Sequence, residues 1–306
     1  MATRTKRLIL LAFVVLGCCA NAIAFARASP TGLAPPGFAP QELTPKRIVS
    51  LVPALTEMLF AVGAGPQVVA VSSYDDFPPE VKALPKVGAL LDPDVERILS
   101  LRPDLVITYG SQTDLETQFG RAGIRTFSYR HGGIPVVLET LRDLGRLSGH
   151  ATEGDRRARE IETRLGAIRA RVKGRPRPRT LLVFERQPQS LQQMYVSGGR
   201  GFLNEMLEAA GGVNVFADVA RESVQPSHET LLARAPDVIV EVRATGLLAP
   251  AEARAEQGVW SALASIPAVR NKRLHLLNGD YLVVPGPRLA LATDALARVL
   301  HPEVFR

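Results

Sequence analysis

The chain has 306 residues, 46% of them hydrophobic and 22% charged, which excludes a disordered polymer and leaves room for two domains with cores of their own. Its formal charge of +7 falls to +3 once residues 1–28 are set aside, because they hold four basic residues (Arg4, Lys6, Arg7, Arg27) and no acidic one. The basic balance therefore gives no case for nucleic acid, and since both cysteines, Cys18 and Cys19, lie in that same segment, the remainder has no disulfide.

Residues 1–28 read as an export signal: a basic start, an apolar run from Leu8 to Leu16 and then small residues, too short and too early for a membrane span. Two processing sites stay open. Ala26-Arg27-Ala28 is a small-x-small site before Ser29, while Val15-Leu16-Gly17-Cys18 resembles a lipoprotein box that would leave a lipidated Cys18. Residues 29–45 form a Pro/Gly linker without periodicity.

An N-terminal lobe is expected over residues 46–150. A strand over Arg47–Leu51 leads, after Val52-Pro53, into a helix ending at Gly63 or Gly65, followed by a strand over Val68–Ser72 and the turn-rich Y-D-D-F-P-P-E. Strand Leu105–Thr108, helix Thr113–Ala122, strand Arg125–Ser128 and helix Ile134–Leu147 complete it. Residues 151–175 form a long connecting helix with a narrow apolar stripe (Ala158, Ile161, Leu165, Ile168, Val172), weakened by Gly154 and Gly166. A C-terminal lobe over residues 176–306 repeats the pattern, with strands at Thr180–Phe184, Val238–Val242 and Arg273–Leu277, a helix around Gly258–Ala264 and a terminal helix over Arg288–Leu300. Strands alternating with helices predict an α/β protein of two Rossmann-like lobes with parallel sheets, joined by one backbone helix and separated by a cleft. One stiff joint implies a modest change of lobe angle on binding.

One stretch occurs twice. Residues 94–107 (D-V-E-R-I-L-S-L-R-P-D-L-V-I) and 227–240 (S-H-E-T-L-L-A-R-A-P-D-V-I-V) share a capping residue, a Glu two places on, an apolar turn, Pro-Asp and a β-branched run. Each lobe thus presents one glutamate, Glu96 or Glu229, at the same place. In isolation each would merely serve its helix dipole; the pairing points to a shared outward role.

No pattern of catalytic residues emerges. Ser227-His228-Glu229 are adjacent on a helix and cannot face one another as a triad, and no G-x-S-x-G, H-E-x-x-H or P-loop is present. Five scattered histidines with no i,i+4 pair make a poor metal site. Ser197-Gly198-Gly199-Arg200-Gly201 is either an anion cradle or, more commonly, a tight strand-to-helix turn. Arg130-His131 directly follows a strand and should open into the cleft. Tyr74, Tyr109, Tyr195 and Tyr281 sit at or just past strand ends, where open parallel sheets bind ligands.

These residues resemble one family. R-I-V-S-L-V-P-A-L-T-E-M-L-F-A-V-G-A, V-S-S-Y-D-D-F-P-P-E-V, V-E-R-I-L-S-L-R-P-D-L-V-I, A-A-G-G-V-N-V-F and P-G-P-R, spread over residues 46–306, are similar to the helical-backbone periplasmic binding proteins that bring iron-siderophores, haem or cobalamin to ABC importers. Within that family S-S-Y-D-D-F-P-P and Gly279-Asp280-Tyr281 are most similar to the cobalamin receptors. The resemblance implies a monomeric periplasmic capture protein with no catalysis and no resident cofactor or metal, whose ligand is a cobalt- or iron-containing chelate. It implies ligand contacts at Tyr74, Tyr109, Tyr195 and Asp280, and docking of Glu96 and Glu229 on a permease dimer in the inner membrane. The pattern departs at Leu90 and Ser223, where the cobalamin receptors carry tryptophan, and at Val284, where they carry arginine; a ferric siderophore or haem is the alternative ligand. An enzyme on the same fold is the alternative of a different class.

Overall fold

A computed structural model describes residues 44–244 and 248–305; the export signal, both processing sites and nearly all of the linker lie outside them. The first sheet is built from β1 (Ile48–Ser50), β2 (Val68–Val71), β5 (Leu105–Tyr109) and β6 (Arg125–Tyr129), in the order β2-β1-β5-β6, every pairing parallel. Helices α1 (Pro53–Ala61), α2 (Val95–Ser100), α3 (Thr113–Arg121) and α4 (Ile134–Leu147) wrap it, and a small antiparallel pair, β3 (Gly88–Ala89) with β4 (Asp92–Pro93), precedes α2.

The long helix α5 (Ala151–Val172) then crosses to the second half. Its buried positions are Gly154, Ala158, Ile161, Leu165, Ile168 and Val172, the predicted stripe with one glycine added. Gly154 is there because its Cα packs on Gly145 of α4, where a Cβ on either residue would come within 3.1 Å of the opposing backbone. The glycine that weakens the helix is what lets it dock.

The second sheet runs β10 (Ser223–Val224), β8 (Tyr195–Ser197), β7 (Arg179–Glu185), β11 (Val238–Arg243), β12 (Leu274–Asn278), with β9 (Val213–Asn214) also on β7. It is parallel across β9, β7, β11 and β12, but β8 and β10 run antiparallel at one edge. Helices α6 (Gly201–Ala209), α7 (His228–Arg234), α8 (Pro250–Gly258), α9 (Pro267–Arg270) and α10 (Leu289–Leu300) complete it. The helix expected around 258–264 is a 3-10 turn, Val259–Leu263, entered from α8; α8 was not foreseen because its PAEARAEQG sequence buries little beyond Glu256 and so has no apolar stripe to read.

The doubled stretch repeats down to its hydrogen bonds. Asp94 and Ser227 cap α2 and α7 through the N–H groups of Arg97 and Thr230. A residue with left-handed backbone, Arg102 (φ 48°) one place beyond the C-cap of α2 and Ala235 (φ 44°) at the C-cap of α7, turns the chain out of each helix before a proline that disfavours helical geometry there. The Asp that follows then holds the start of the neighbouring strand: Asp104 accepts from the Lys46 and Arg47 N–H groups at 2.8 and 3.0 Å, and Asp237 from the Arg179 N–H at 3.2 Å. Arg47 and Arg179 return the tie, donating to Leu101 O and Arg234 O at 2.7 Å each. Both glutamates are exposed, at the same point of the unit in each lobe.

Candidate functional site

The carboxyl ends of β5 and β6 deliver three rings to one place. Tyr109 and Tyr129 lie edge to face at 6.0 Å, and His131 is 5.7 Å from each. From the second lobe Phe202 of α6 approaches His131 at 6.0 Å, and Phe184 lies 6.3 Å from Tyr195. Edge-to-face packing suits ring quadrupoles and contributes about 0.5–1.5 kcal/mol per pair beyond burial, so Tyr109, Tyr129, His131 and Phe202 hold one another in place, while the Phe184–Tyr195 pair is tilted at 35°. Tyr195 opens β8 instead of following a strand; because β8 runs antiparallel to β7, its first residue pairs with Glu185 at the carboxyl end of β7.

Burial sets the protonation states here. It pushes the His131 imidazole down to about 4, keeping it neutral at pH 7, and His131 Nδ1 is buried with no hydrogen-bond partner. Burial, with a lesser contribution from Glu222, pushes the Tyr109 phenol up to about 12; the Tyr129 phenol rises for the same causes plus Tyr109 itself, and its hydroxyl has no partner. Burial also raises the Tyr74 phenol. Arg130 is exposed, its side chain lying over Gly110.

Two polar ties cross from lobe to lobe. At one, Glu205 of α6 accepts the Ile134 N–H at 2.7 Å, capping an α4 whose own N-cap, Gly133, offers no side chain. At the other, Arg288, which precedes α10, meets Glu57 of α1 at 2.8 and 2.5 Å and both oxygens of Asp280 at 2.8 Å. Phe77 covers the guanidinium at 3.9 Å and Tyr281 lies at 5.9 Å, an arrangement a planar guanidinium allows and an ammonium does not.

One cation thus serves two carboxylates, and they fare differently. Asp280, although burial raises it, is held below the usual carboxylate range by Arg288. Glu57 is 4% exposed, and there burial outweighs its share of Arg288 and pushes it up to about 7. Asp75 nearby, 1% exposed, is likewise pushed up to about 6 by burial, which outweighs the lowering by Thr56, Ser72 and Lys86. A carboxyl raised in the folded state favours folding fully below its unfolded value, about 4.5 for Glu57, and that advantage is lost as pH climbs to about 7. In thermal melts from pH 4.5 to 7, the stability of the wild type relative to Glu57→Gln should therefore decline. A difference that rises with pH would mean that Arg288 outweighs burial.

The sequence-predicted residues divide into groups. Tyr109 and His131 meet in the aromatic cluster, with Arg130 beside them; Tyr195 lies across from them with Phe184; Asp280 and Tyr281 gather around Arg288, while Tyr74 stands one residue from Asp75. Glu96 and Glu229 stand apart, exposed on α2 and α7. The sequence reading missed Tyr129, Phe202, Glu222, Glu57 and Arg288. Tyr129 had a signal, since it ends its strand just as Tyr109 does. Ser197–Gly201 is a tight turn: Gly198, Gly199 and Arg200 donate their N–H groups to Glu222 O, Val219 O and Arg221 O, and a Cβ at Gly198 or Gly199 would strike a backbone oxygen at 2.2 or 2.1 Å. Those three donors are engaged by the protein's own carbonyls.

Two α/β lobes on a stiff helix, with an aromatic-lined seam at the carboxyl ends of their strands, define a bilobed ligand receptor. The sequence model for periplasmic binding proteins matches residues 48–281, and the chain belongs to that family. It is 31% identical over 256 residues to the vitamin B12-binding protein of Salmonella typhimurium, covering 83% of this chain and 90% of that one. It is also 31% identical over 268 residues to the Bacillus subtilis ABC transporter substrate-binding lipoprotein YvrC, covering 86% and 82%. Among solved structures, the periplasmic vitamin B12-binding protein BtuF of Vibrio cholerae superposes with a TM-score of 0.71 at 26% identity, over 86% of this chain and 99% of that one. A periplasmic haem-binding protein from Pseudomonas aeruginosa gives 0.72 at 27%, over 84% and 93%. No helix among the described residues is long and apolar enough to cross a membrane.

Proposed function

We propose that this protein captures a corrinoid, cobalamin or a close relative, between its lobes and hands it to the permease dimer of an ABC importer in the inner membrane. The observation that carries the reading is the aromatic cluster fed from both lobes, Tyr109, Tyr129 and His131 against Phe202, in a chain related over most of its length to vitamin B12-binding proteins. A broad planar chelate with an apolar body and a polar rim suits such walls. Tyr74, Tyr109, Arg130, His131, Tyr195, Asp280 and Tyr281 supply the contacts. Asp280 does so as an acceptor already fixed by Arg288.

Haem or a ferric chelate is the second reading, favoured by the neutral imidazole of His131, whose Nδ1 has no hydrogen-bond partner and can ligate iron. Absorption spectra and native mass spectrometry of protein taken from its own compartment separate the readings. Corrin bands support the first and a haem Soret band the second; protein that arrives empty and takes up neither chelate on titration sinks both. The protein works as a monomer outside the cytoplasm, released by cleavage before Ser29 or held there through a lipidated Cys18, alternatives that the mass of the mature chain distinguishes. Glu96 and Glu229 dock it on the permease.

Small-angle scattering with and without ligand should show little change in shape. The lobes share α5 and are tied across the seam by Arg288 and Glu205, so a closure as large as that of hinge-type receptors would contradict this prediction.

A further inference from the structure

Among the described residues, the seam holds one carboxylate that no other group uses. Glu222 precedes β10 and is half-buried, and among the described residues it takes part in no ion pair and its side chain in no hydrogen bond. Arg288 is committed to Glu57 and Asp280, while Arg130, Arg200 and Arg221 are exposed.

Its position is fixed by backbone. The Glu222 carbonyl accepts the Gly198 N–H at 3.0 Å, and the side chain lies against Gly201, where a Cβ would stand 3.2 Å from Glu222 Cγ and 3.4 Å from Oε1. Gly201 has φ +81° and adjoins Phe202, the residue that meets His131. Tyr109 and Tyr129 feel the Glu222 charge from the other lobe. A half-buried carboxylate without a partner, bordering an aromatic cluster, is a poor device for stability, because desolvating a charge is unfavourable without a compensating donor. Burial accordingly raises its pKa.

We propose that Glu222 is a specificity-determining residue of the cleft: its carboxylate accepts hydrogen bonds from amide or cationic groups on the ligand rim and rejects ligands that present a carboxylate there. The proposal rests on the seam being the ligand site, and it sharpens the ligand class to chelates whose periphery near Glu222 is amidated. Specificity arises as a difference: an amide N–H supplies the donor that Glu222 lacks, whereas a carboxylate at the same point sets like charges together and leaves both unpaired.

The test uses two pairs of ligands that differ only in that group. One is cyanocobalamin with its monocarboxylic acids, each formed by hydrolysing a single peripheral amide; the other is haemin with its diamide. Dissociation constants are measured on the full-length mature protein and on Glu222→Gln and Glu222→Asp, with thermal melts confirming that each variant folds. The wild type should prefer the amide over at least one acid by tenfold or more, about 1.4 kcal/mol at 25 °C. Glu222→Gln should bring that ratio to within about twofold, and Glu222→Asp should keep most of it. A wild type that binds acid and amide equally overturns the proposal without any variant. So does a Glu222→Gln that melts earlier but keeps the ratio, for then the carboxylate only serves the positive end of α6. If cyanocobalamin fails to bind but haemin binds, the corrinoid reading falls while the haemin pair still reads Glu222. Binding of neither parent ligand sinks both.

Discussion

A protein carrying Glu96→Lys and Glu229→Lys together is expected to bind its ligand with unchanged affinity and to support no uptake. Both glutamates are exposed, at one and the same point of a unit that recurs with its caps, its left-handed exits and its Asp and Arg ties intact. Neither touches the aromatic cluster. Docked on permease arginines, each would make charge-assisted bonds, and removing one partner of a desolvated charge pair costs about 2–5 kcal/mol. Each single reversal should then weaken docking more than tenfold, and the double reversal should abolish stimulation of the importer's ATPase. If the glutamates served only their helix dipoles, Glu→Gln would lower stability by about 0.3–1 kcal/mol and leave transport alone. Ligand titration beside transport in reconstituted vesicles decides: a double reversal that transports normally, or that loses ligand, sinks the assignment.

The second large effect lies in the core of the C-terminal half. Arg186 is 6% exposed and meets both oxygens of Glu241 at 2.9 Å, Glu256 Oε2 at 2.9 Å and the Glu256 carbonyl at 2.8 Å. Trp260 Nε1 donates to Glu241 at 2.5 Å, and Arg243 reaches Glu256 at 3.2 Å. Burial alone would raise the Glu256 carboxyl, but the Gln189 N–H and the two guanidiniums bring it below its ordinary value. Glu241→Ala strips Arg186 of its bidentate partner and Trp260 of its acceptor at once. Breaking one side of a buried pair costs about 3–5 kcal/mol, which for a chain of this size lowers the melting temperature by roughly 10 °C. Glu241→Met combined with Arg186→Met should be the milder change, since an apolar pair of similar volume leaves no buried charge unmatched. Thermal unfolding of the two variants checks this, and a single variant within about 1 kcal/mol of wild type would mean that the network is solvated.

What could be read from the sequence was local. Capping residues, apolar spacing and Pro-Asp lie within a few residues of one another, so α2, α7, α5 and the parallel strands were legible, as was the position of Tyr109 and His131 at or just past strand ends, whereas Tyr195 opens its strand. The antiparallel edge was not, because β8 and β10 are strands of three and two residues whose direction depends on what they pair with. Nor was the tie between Glu57 and Arg288, 231 positions apart: the motifs containing them were recognisable, but nothing in either says that they meet. Glu222 escaped for a related reason. Its significance is the lack of a partner, a property of its surroundings alone.

The apolar residues behind the seam carry one more consequence. A single cluster runs from Ile48, Leu55 and Met58 through Ala158, Ile161 and Leu165 of α5 to Phe202, Leu289 and Leu300, so each half finishes the other's interior. Cut at residue 150, neither piece would keep its half of this cluster out of water, and in the whole chain an opening of one half exposes the other. Duplicate architecture therefore does not imply duplicate melting: the protein is expected to give one calorimetric peak, with its van't Hoff and calorimetric enthalpies in agreement.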